Sequence, residues 1–319
     1  MLDAFVVYGA AINFALINIA LALSISVTLS AGLLSLSNAG FMAIGAYTTA
    51  ILATKTGAPL WLSLAVAMVA AIALAIPLGA VVLRLRDVYL AIATIGFGEI
   101  VRIIILNGDK LLRGASGDSR LIVFNGAEGI TLPYRDPGVL LGIPDTTWVL
   151  LAYVAALVYF LASMRRSRFG RIWASIRLDE SAAATMGINV VSYKLLAFAI
   201  GAAMAAGAGA LSAPIIRVID PNNYMFGRAV EILAFAILGG TAHWSGPIIG
   251  AAVLSSLPET LRFLKDQRDI ANGLIIMASI IWLPRGIGDP SFWRTTVARA
   301  RVWLVSGAPA SHEPAERDP

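Results

Sequence analysis

The chain has 319 residues, of which 58% are hydrophobic and only 13% are charged, and its mean hydropathy is +0.80. Soluble domains carry about 25% charged residues, so this composition excludes a water-soluble globular protein and predicts an all-α polytopic membrane protein. The net charge of +5 comes with arginines clustered in Arg165–Arg177 and Arg285–Arg301, which favours a positive-inside membrane topology over nucleic-acid binding.

The first predicted element is an apolar run over Ala4–Leu36, which is longer than the about 20 residues that one membrane crossing needs. Asn13 and Asn18 lie within this run. Because an unpaired amide is costly in lipid, we expect both side chains to face other helices. Glycine and polar residues in 32–45 then interrupt the apolar pattern, which predicts a broken or closely packed start of the next helix. A crossing over Leu60–Leu83 follows.

The next predicted span, Val88–Leu106, contains two charged residues, Glu99 and Arg102. They are three residues apart and therefore share one face of a helix, where they can neutralise each other. A carboxylate inside the membrane is also a candidate functional group, so both interpretations stay open. The following stretch, Asn107–Thr146, is polar and lacks a positive bias. It is expected to be an ordered external loop.

An arginine-rich segment, Arg165–Lys194, lies between two long apolar runs. Five arginines precede its first acidic residue, Asp179, and short loops with this bias stay on the cytoplasmic side. Good helix formers fill Ala174–Met186, and Gly187 is a typical helix end. The pattern predicts a small helix at the cytoplasmic face, which either docks onto a cytosolic partner or is an ordinary interfacial loop.

The span after this segment, Leu195–Ala213, carries small residues at every fourth position, which permits close approach of helix backbones. These residues are Gly201, Ala205, Gly209 and Ala213. Two later apolar runs, Ala229–Leu238 and Pro247–Leu261, are short for a full crossing and predict a helical hairpin or a broken pair. Ile270–Leu283 is the last predicted span.

These elements add up to about eight or nine transmembrane or re-entrant helices. They predict one transmembrane domain over residues 1–305, followed by a cytoplasmic tail over residues 306–319 that we expect to be disordered. Alternation of the loops places the N-terminus outside.

The sequence lacks the motifs of common enzymes. It contains no P-loop, no H-E-x-x-H, no C-x-x-C and no G-x-S-x-G, and it has no cysteine. His243 is expected to make a structural hydrogen bond. We therefore predict neither an enzyme nor a cofactor or metal site. A secondary transporter usually has buried acidic residues, and Glu99 and Glu231 are the candidates here. A conduit without its own energy source, next to a docking helix, predicts that energy comes from a separate protein.

Four stretches resemble the signatures of one family: Gly32–Tyr47, Tyr89–Arg102, Gly170–Lys194 and Leu238–Gly250. The family is that of the membrane-spanning permeases of bacterial ATP-binding-cassette importers for branched-chain amino acids, and the second stretch is similar to its M-type subunit in particular. The resemblance implies that the arginine-rich segment inserts into a groove on a separate ATPase subunit. The residues implied in this coupling are Arg171, Arg177, Asp179, Glu180, Ser181, Ala182, Ala183 and Gly187.

The family pattern also has a departure in this chain. Its Glu-Ala-Ala motif becomes Ser181-Ala182-Ala183 here, and the acid stands one place earlier, at Glu180. The resemblance further implies that five residues border the translocation path. They are Asn38, Gly45, Thr94, Gly98 and Glu99.

The resemblance implies a permease subunit of the bacterial inner membrane that imports leucine, isoleucine or valine by alternating access. The implied partners are a homologous second permease, two ATPase subunits and a periplasmic solute-binding protein, with ATP used by the partners alone. Alternatives are a related importer for urea, amides or other amino acids, a stand-alone secondary transporter or channel, and a structural membrane scaffold.

Overall fold

The computed structural model describes residues 2–85, 87–116, 123–132, 139–140, 143–240, 243, 245–260 and 277. Within this part of the chain the α-helices are α1 Leu2–Ser30, α2 Asn38–Lys55, α3 Leu60–Val82, α4 Asp87–Ser116, α5 Asp145–Arg166, α6 Arg168–Leu178, α7 Glu180–Thr185, α8 Val190–Ile216, α9 Phe226–Gly239 and α10 Gly246–Thr260. The short strands are β1 Ile130–Thr131, β2 Val139–Leu140, β3 Ile143–Pro144 and β4 Val218–Ile219. Two 3-10 turns cover Gly126–Glu128 and Pro221–Tyr224.

Five helices of the described chain are long and apolar enough to cross a membrane: α1, α3, α4, α5 and α8. This makes the molecule a multi-pass α-helical membrane protein. The finer prediction of eight or nine membrane segments is not confirmed, because α2 is more polar and α9 and α10 are shorter than a crossing requires. The predicted span Ile270–Leu283 and the predicted tail 306–319 lie outside the described residues.

Helix α8 lies at the centre and packs against α1, α2 and α3. The predicted ridge of small residues is confirmed as a buried packing face. Its closest contacts are with α2: a Cβ atom added at Gly45 would lie 1.9 Å from the carbonyl oxygen of Ala206, and one added at Gly209 would lie 2.0 Å from that of Met42. Real side chains do not approach backbone this closely, so these positions require glycine.

The chain leaves helical geometry between α1 and α2, as predicted from its glycine and polar residues. Helix α1 ends at Ser30, and Gly32 then adopts a positive φ of +76°. We call residues 31–37 the buried loop, because most of its side chains are shielded inside the helix bundle. Irregular backbone at membrane depth is tolerated where protein covers it, and this loop meets that condition.

The prediction that an external loop begins at Asn107 is wrong, because α4 continues to Ser116. Polar residues here remain helical by bonding to the segment that folds back over them. The carboxylate of Asp109 accepts the backbone N–H groups of Val123, at 2.7 Å, and Phe124, at 2.9 Å. Further along, β1 pairs antiparallel with β4 and joins the α4–α5 connection to the C-terminal end of α8.

The predicted hairpin of short helices is confirmed in α9 and α10, which pack directly on each other. Backbone contact is again permitted by glycine: a Cβ atom at Gly250 would lie 2.2 Å from the carbonyl oxygen of Phe235. A polar network ties this hairpin to α1. Asn18 donates to Ser255 Oγ at 2.9 Å and accepts from Arg228 at 2.6 Å, and Arg228 also pairs with Glu231 at 2.6 Å. Asn18 thus faces other helices, as predicted.

Candidate functional site

The arginine-rich segment forms two helices, α6 and α7, so the prediction of one continuous helix over Ala174–Met186 is wrong. The break is at Asp179, whose backbone is extended (φ −157°, ψ 113°). Its carboxylate accepts the N–H groups of Ser181, at 2.8 Å, and Ala182, at 3.0 Å. An aspartate in this position is a helix N-cap, because it satisfies backbone donors that the first turn leaves without a partner.

Helix α7 ends where the sequence predicts, at Gly187. This glycine has a φ of +80°. Its N–H group donates to the carbonyl of Ala184 at 3.0 Å, and the N–H group of Ile188 donates to that of Ala183 at 3.2 Å. This pair of bonds is a Schellman motif, which requires a left-handed residue at its centre. The six residues of α7 are therefore bounded by a specific stop at each end.

Helix α6 is anchored between the start of α8 and the buried loop. The indole of Trp173 is buried, and its N–H donates to the carbonyl of Tyr193 at 3.0 Å. On another side of α6, the Cα atom of Arg177 lies 3.4 Å from the point that a Cβ atom of Gly32 would occupy. Helix α6 is thus in direct contact with the connection between α1 and α2, and a movement of α6 would act on that connection.

The outer side of α7 is free of intramolecular packing within the described chain. Ala183 is buried, whereas Ser181 and Ala182 are exposed. Two large apolar side chains at its ends are almost fully exposed, Leu178 at 87% and Met186 at 83%. Small residues flanked by exposed apolar side chains allow another protein surface to approach closely.

Glu180 lies in the first turn of α7, and its side chain is 42% exposed. Its carboxylate forms an ion pair with the ammonium group of Lys194 in α8, and the whole Lys194 residue is only 6% exposed. Ser181, at the position where the family motif has its acid, is exposed. Lys194 was not among the predicted coupling residues. The available signal was a lone lysine at the start of a long apolar run.

Three predicted path residues meet where α2 begins beside α4. The hydroxyl of Thr94 accepts the N–H of Leu36 at 2.9 Å, and the amide of Asn38 donates to Ser24 Oγ at 2.7 Å. A Cβ atom at Gly40 would lie 3.0 Å from the Cα atom of Gly98. These contacts hold the buried loop and the start of α2 against α4 and α1.

The other two predicted path residues lie elsewhere. Gly45 contacts α8, as described above. Glu99 pairs with Arg102 at 2.5 Å, which confirms the predicted pairing, and Arg102 also donates to the side chain of Asn222 at 3.2 Å. Contact of these five residues with a solute stays a prediction.

Two tyrosines close the end of the bundle beyond the C-terminus of α8. The hydroxyl of Tyr47 donates to the carbonyl of Ile219 at 3.0 Å, and the ring of Tyr47 packs on Tyr224, with 6.5 Å between their centroids. Burial raises the pKa of the Tyr224 phenol, so this group stays neutral. The contacts join α2 to the segment that follows α8.

Metal-binding groups are sparse in the described chain, where no cluster of three or more His, Asp or Glu side chains could hold an ion. His243 has the structural role predicted for it, since its Nδ1 atom and Ser245 Oγ share a hydrogen bond of 2.7 Å.

Comparison with known proteins identifies the family. Residues 7–283 match the family described as "Branched-chain amino acid transport system / permease component". The chain is 35% identical to the high-affinity branched-chain amino acid transport system permease protein LivM of Escherichia coli, over 84% of this chain and 66% of that protein. It is 33% identical to LivM of Salmonella typhimurium, with the same coverage. LivH of Escherichia coli is 31% identical over 44% of this chain and 45% of its own length.

The chain thus spans slightly less than two thirds of the length of the LivM proteins it matches. No solved structure matches the chain. Its fold and its arginine-rich segment define a multi-pass α-helical membrane protein with an exposed, capped helix between two spans. The chain belongs to the family of permease components of branched-chain amino acid transport systems.

Proposed function

We propose that the chain is the permease subunit of an ATP-binding-cassette importer for branched-chain amino acids in a bacterial inner membrane. The observation that carries this proposal is the identity of 33–35% to two LivM proteins over 84% of the chain. Both relatives are named as high-affinity branched-chain amino acid permeases.

The proposed assembly contains a homologous second permease, two ATPase subunits and a periplasmic solute-binding protein. The similarity of the chain to both LivM and LivH supports a pair of related permeases. In this chain, residues 1–305 would form the translocating domain with eight or nine membrane segments, and residues 306–319 a cytoplasmic tail. The chain itself would use no cofactor and hydrolyse no ATP.

Energy would enter through the arginine-rich segment. Its clustered arginines support a cytoplasmic location, and α7 offers small exposed residues between two exposed apolar side chains, Leu178 and Met186. Such a surface fits a groove on an ATPase subunit. The proposed coupling residues are those named from the sequence: Arg171, Arg177, Asp179, Glu180, Ser181, Ala182, Ala183 and Gly187. ATP binding would move the two ATPase subunits towards each other, and α7 would shift with the subunit that holds it.

The solute path would run beside the start of α2. Thr94, Asn38 and Gly98 lie together there, next to a loop that has irregular backbone at depth in the bundle. In membrane transporters, interrupted helices of this kind form binding sites and gates. We propose that displacement of this loop opens and closes the path in turn.

Reconstitution into liposomes tests the function directly. The chain would be purified with its second permease and ATPase subunits, and uptake of radiolabelled leucine, isoleucine and valine would be measured with loaded binding protein outside and ATP inside. We expect uptake that depends on ATP, on the binding protein and on the ATPase subunits. The chain alone serves as the control and is expected to transport nothing.

Other outcomes contradict the proposal in distinct ways. Uptake by the chain alone would indicate a stand-alone carrier or channel. ATP-dependent uptake of urea, an amide or another amino acid in place of the three tested solutes would support an ATP-driven importer and contradict the proposed substrate. Proline cannot adopt the observed φ of +80° at position 187, so wild-type uptake by a complex carrying Gly187→Pro would exclude the proposed role of α7.

A further inference from the structure

We propose that the ion pair between Glu180 and Lys194 fixes α7 to α8 and thereby determines how much solute is moved for each ATP hydrolysed. The two residues act as positioning residues, and neither is proposed to touch solute or nucleotide. The proposal rests on the proposed function, because it assigns a transmission role within that machine.

Because Lys194 is buried, its ammonium group needs the charge of Glu180 as a partner. Lys194 lies in the second turn of α8 and is 6% exposed. A buried ammonium group is costly unless an opposite charge and hydrogen bonds accompany it. Glu180, fourteen residues earlier in the chain, supplies that charge through direct contact with the ammonium group. Because one partner is buried, water screens this pair less than an exposed one.

Helix α7 has few other means of staying on α8. It has six residues, and Ala183 is the side chain that it buries. An isolated helix of this length is unstable in water. The chain between α7 and α8 passes through Gly187, whose surroundings leave open space where a Cβ atom would be. The ion pair therefore supplies the side-chain connection that fixes the orientation of α7.

Helix α8 is suited to carry movement onward. Its small residues place Ala206 against Gly45 and Gly209 against Met42 in backbone contact with α2. Helices in such contact cannot slide independently without a clash, so displacement of α8 displaces α2. The start of α2 holds Asn38 and follows the buried loop. The Glu180–Lys194 pair thus connects the exposed helix to the candidate path.

The functional test measures leucine imported per ATP hydrolysed in the reconstituted complex. Glu180→Gln and Lys194→Gln each remove the charge attraction with little change in size. We expect each to lower this ratio about fivefold or more, the lower range of known coupling effects. The charge-exchanged double variant, Glu180→Lys with Lys194→Glu, is expected to recover most of the ratio. Loss of packing alone would not be rescued in this way.

A second measurement tests the position of α7 relative to α8 and does not require transport activity. The chain has no cysteine, so Ala184→Cys and Val191→Cys, both at exposed positions, provide one pair of spin labels on the full-length protein. We expect a narrow distribution of distances between the labels and a broader one after Glu180→Gln. The control is Glu128→Gln, which removes one exposed carboxylate from a loop that lies beyond the end of α4.

Each result counts for or against the pair. Single variants with the wild-type ratio, or a double variant as poor as the single ones, would overturn the proposal, as would an unchanged distance distribution in Glu180→Gln. If the wild-type complex imports no leucine, the proposed function fails, and the spin-label distances still report whether the pair holds α7.

Discussion

Helix α8 is held in one way at its middle and in another at its N-terminal end. At the middle, Gly45 and Gly209 allow backbone contact with α2, with no side chain between the helices. At the end, the ion pair between Glu180 and Lys194 attaches α7, whose own ends are fixed by an N-cap and a Schellman motif. The first attachment is apolar and buried, and the second is polar and joins a buried ammonium group to a partly exposed carboxylate.

The difference predicts two kinds of sensitivity. Contacts without side chains depend on shape, so an added methyl group acts on the whole bundle. Contacts made by caps and charges depend on single hydrogen-bonding groups, so their loss acts locally and leaves the bundle intact. In a molecule built in this way α2 and α8 stay locked together, and a partner can move them as one unit through the exposed helix α7.

The largest expected effect is that of Gly45→Ala. Its methyl group would lie 1.9 Å from the Ala206 oxygen, so α2 and α8 must separate, at a cost of about 3 kcal/mol in the free energy of unfolding. Unfolding in detergent measures this loss. The control is Gly96→Ala in α4, where no atom lies within 4 Å of the new methyl group and the better helix propensity stabilises by about 1 kcal/mol. Equal stability of the two variants would contradict the close contact.

A smaller loss in the free energy of unfolding is expected from Thr94→Val. Valine has the same shape, yet it leaves the buried N–H of Leu36 without its acceptor. An orphaned buried donor costs about 2 kcal/mol. Thr94→Ser keeps the hydroxyl and is expected to retain most of the stability in the same unfolding measurement. A valine variant that is as stable as the serine variant would show that the loop does not need this bond.

At the other attachment, Gly187→Ala is expected to act on α7 alone. No atom lies within 4 Å of the added methyl group, but a φ of +80° is unfavourable for alanine. The strain is about 1.5 kcal/mol, and hydrogen exchange at the Ile188 amide should speed up while global unfolding is unchanged. Gly187→Asn is the control, because asparagine tolerates the left-handed region better. A global loss of stability would break the distinction between the two attachments.

The smallest effect is expected from Asp179→Ala, which removes the N-cap of α7. Loss of a cap costs about 1 kcal/mol. The Ser181 and Ala182 amides donate hydrogen bonds to the Asp179 carboxylate in the wild type, so their hydrogen exchange should become faster in this variant. Asp179→Asn keeps a capping oxygen and should protect both amides. Unchanged exchange in the alanine variant would show that the break between α6 and α7 does not depend on this carboxylate.

Features that depend on near neighbours could be predicted from the sequence. The pairing of Glu99 with Arg102 follows from helical spacing, and the end of α7 follows from Gly187. The spacing of small residues in Leu195–Ala213 also indicated a close contact. It could not identify α2 as the partner, because any helix with a complementary glycine would satisfy the same pattern.

Other features were missed because the sequence leaves two choices open. Asp179 can sit inside a helix or cap a new one, and the choice depends on tertiary contacts that the sequence does not show, such as the hydrogen bond from Trp173 to Tyr193. The loop predicted over Asn107–Thr146 includes Asp109 because the stretch is polar, yet the carboxylate of Asp109 accepts hydrogen bonds from Val123 and Phe124 within the fold. Glu180 and Lys194 are too far apart in the chain for helical spacing to pair them.

The short pairing of β1 with β4 has a mechanical consequence. Together with the bond from Tyr47 to Ile219, it anchors the C-terminal end of α8 to two other parts of the chain. Helix α8 has 27 residues and is about 40 Å long, so a tilt of about five degrees around that anchored end displaces the opposite end by about 3.5 Å. The residues of α8 beside α7 therefore move farthest when α8 tilts, and those beside Tyr47 form the pivot.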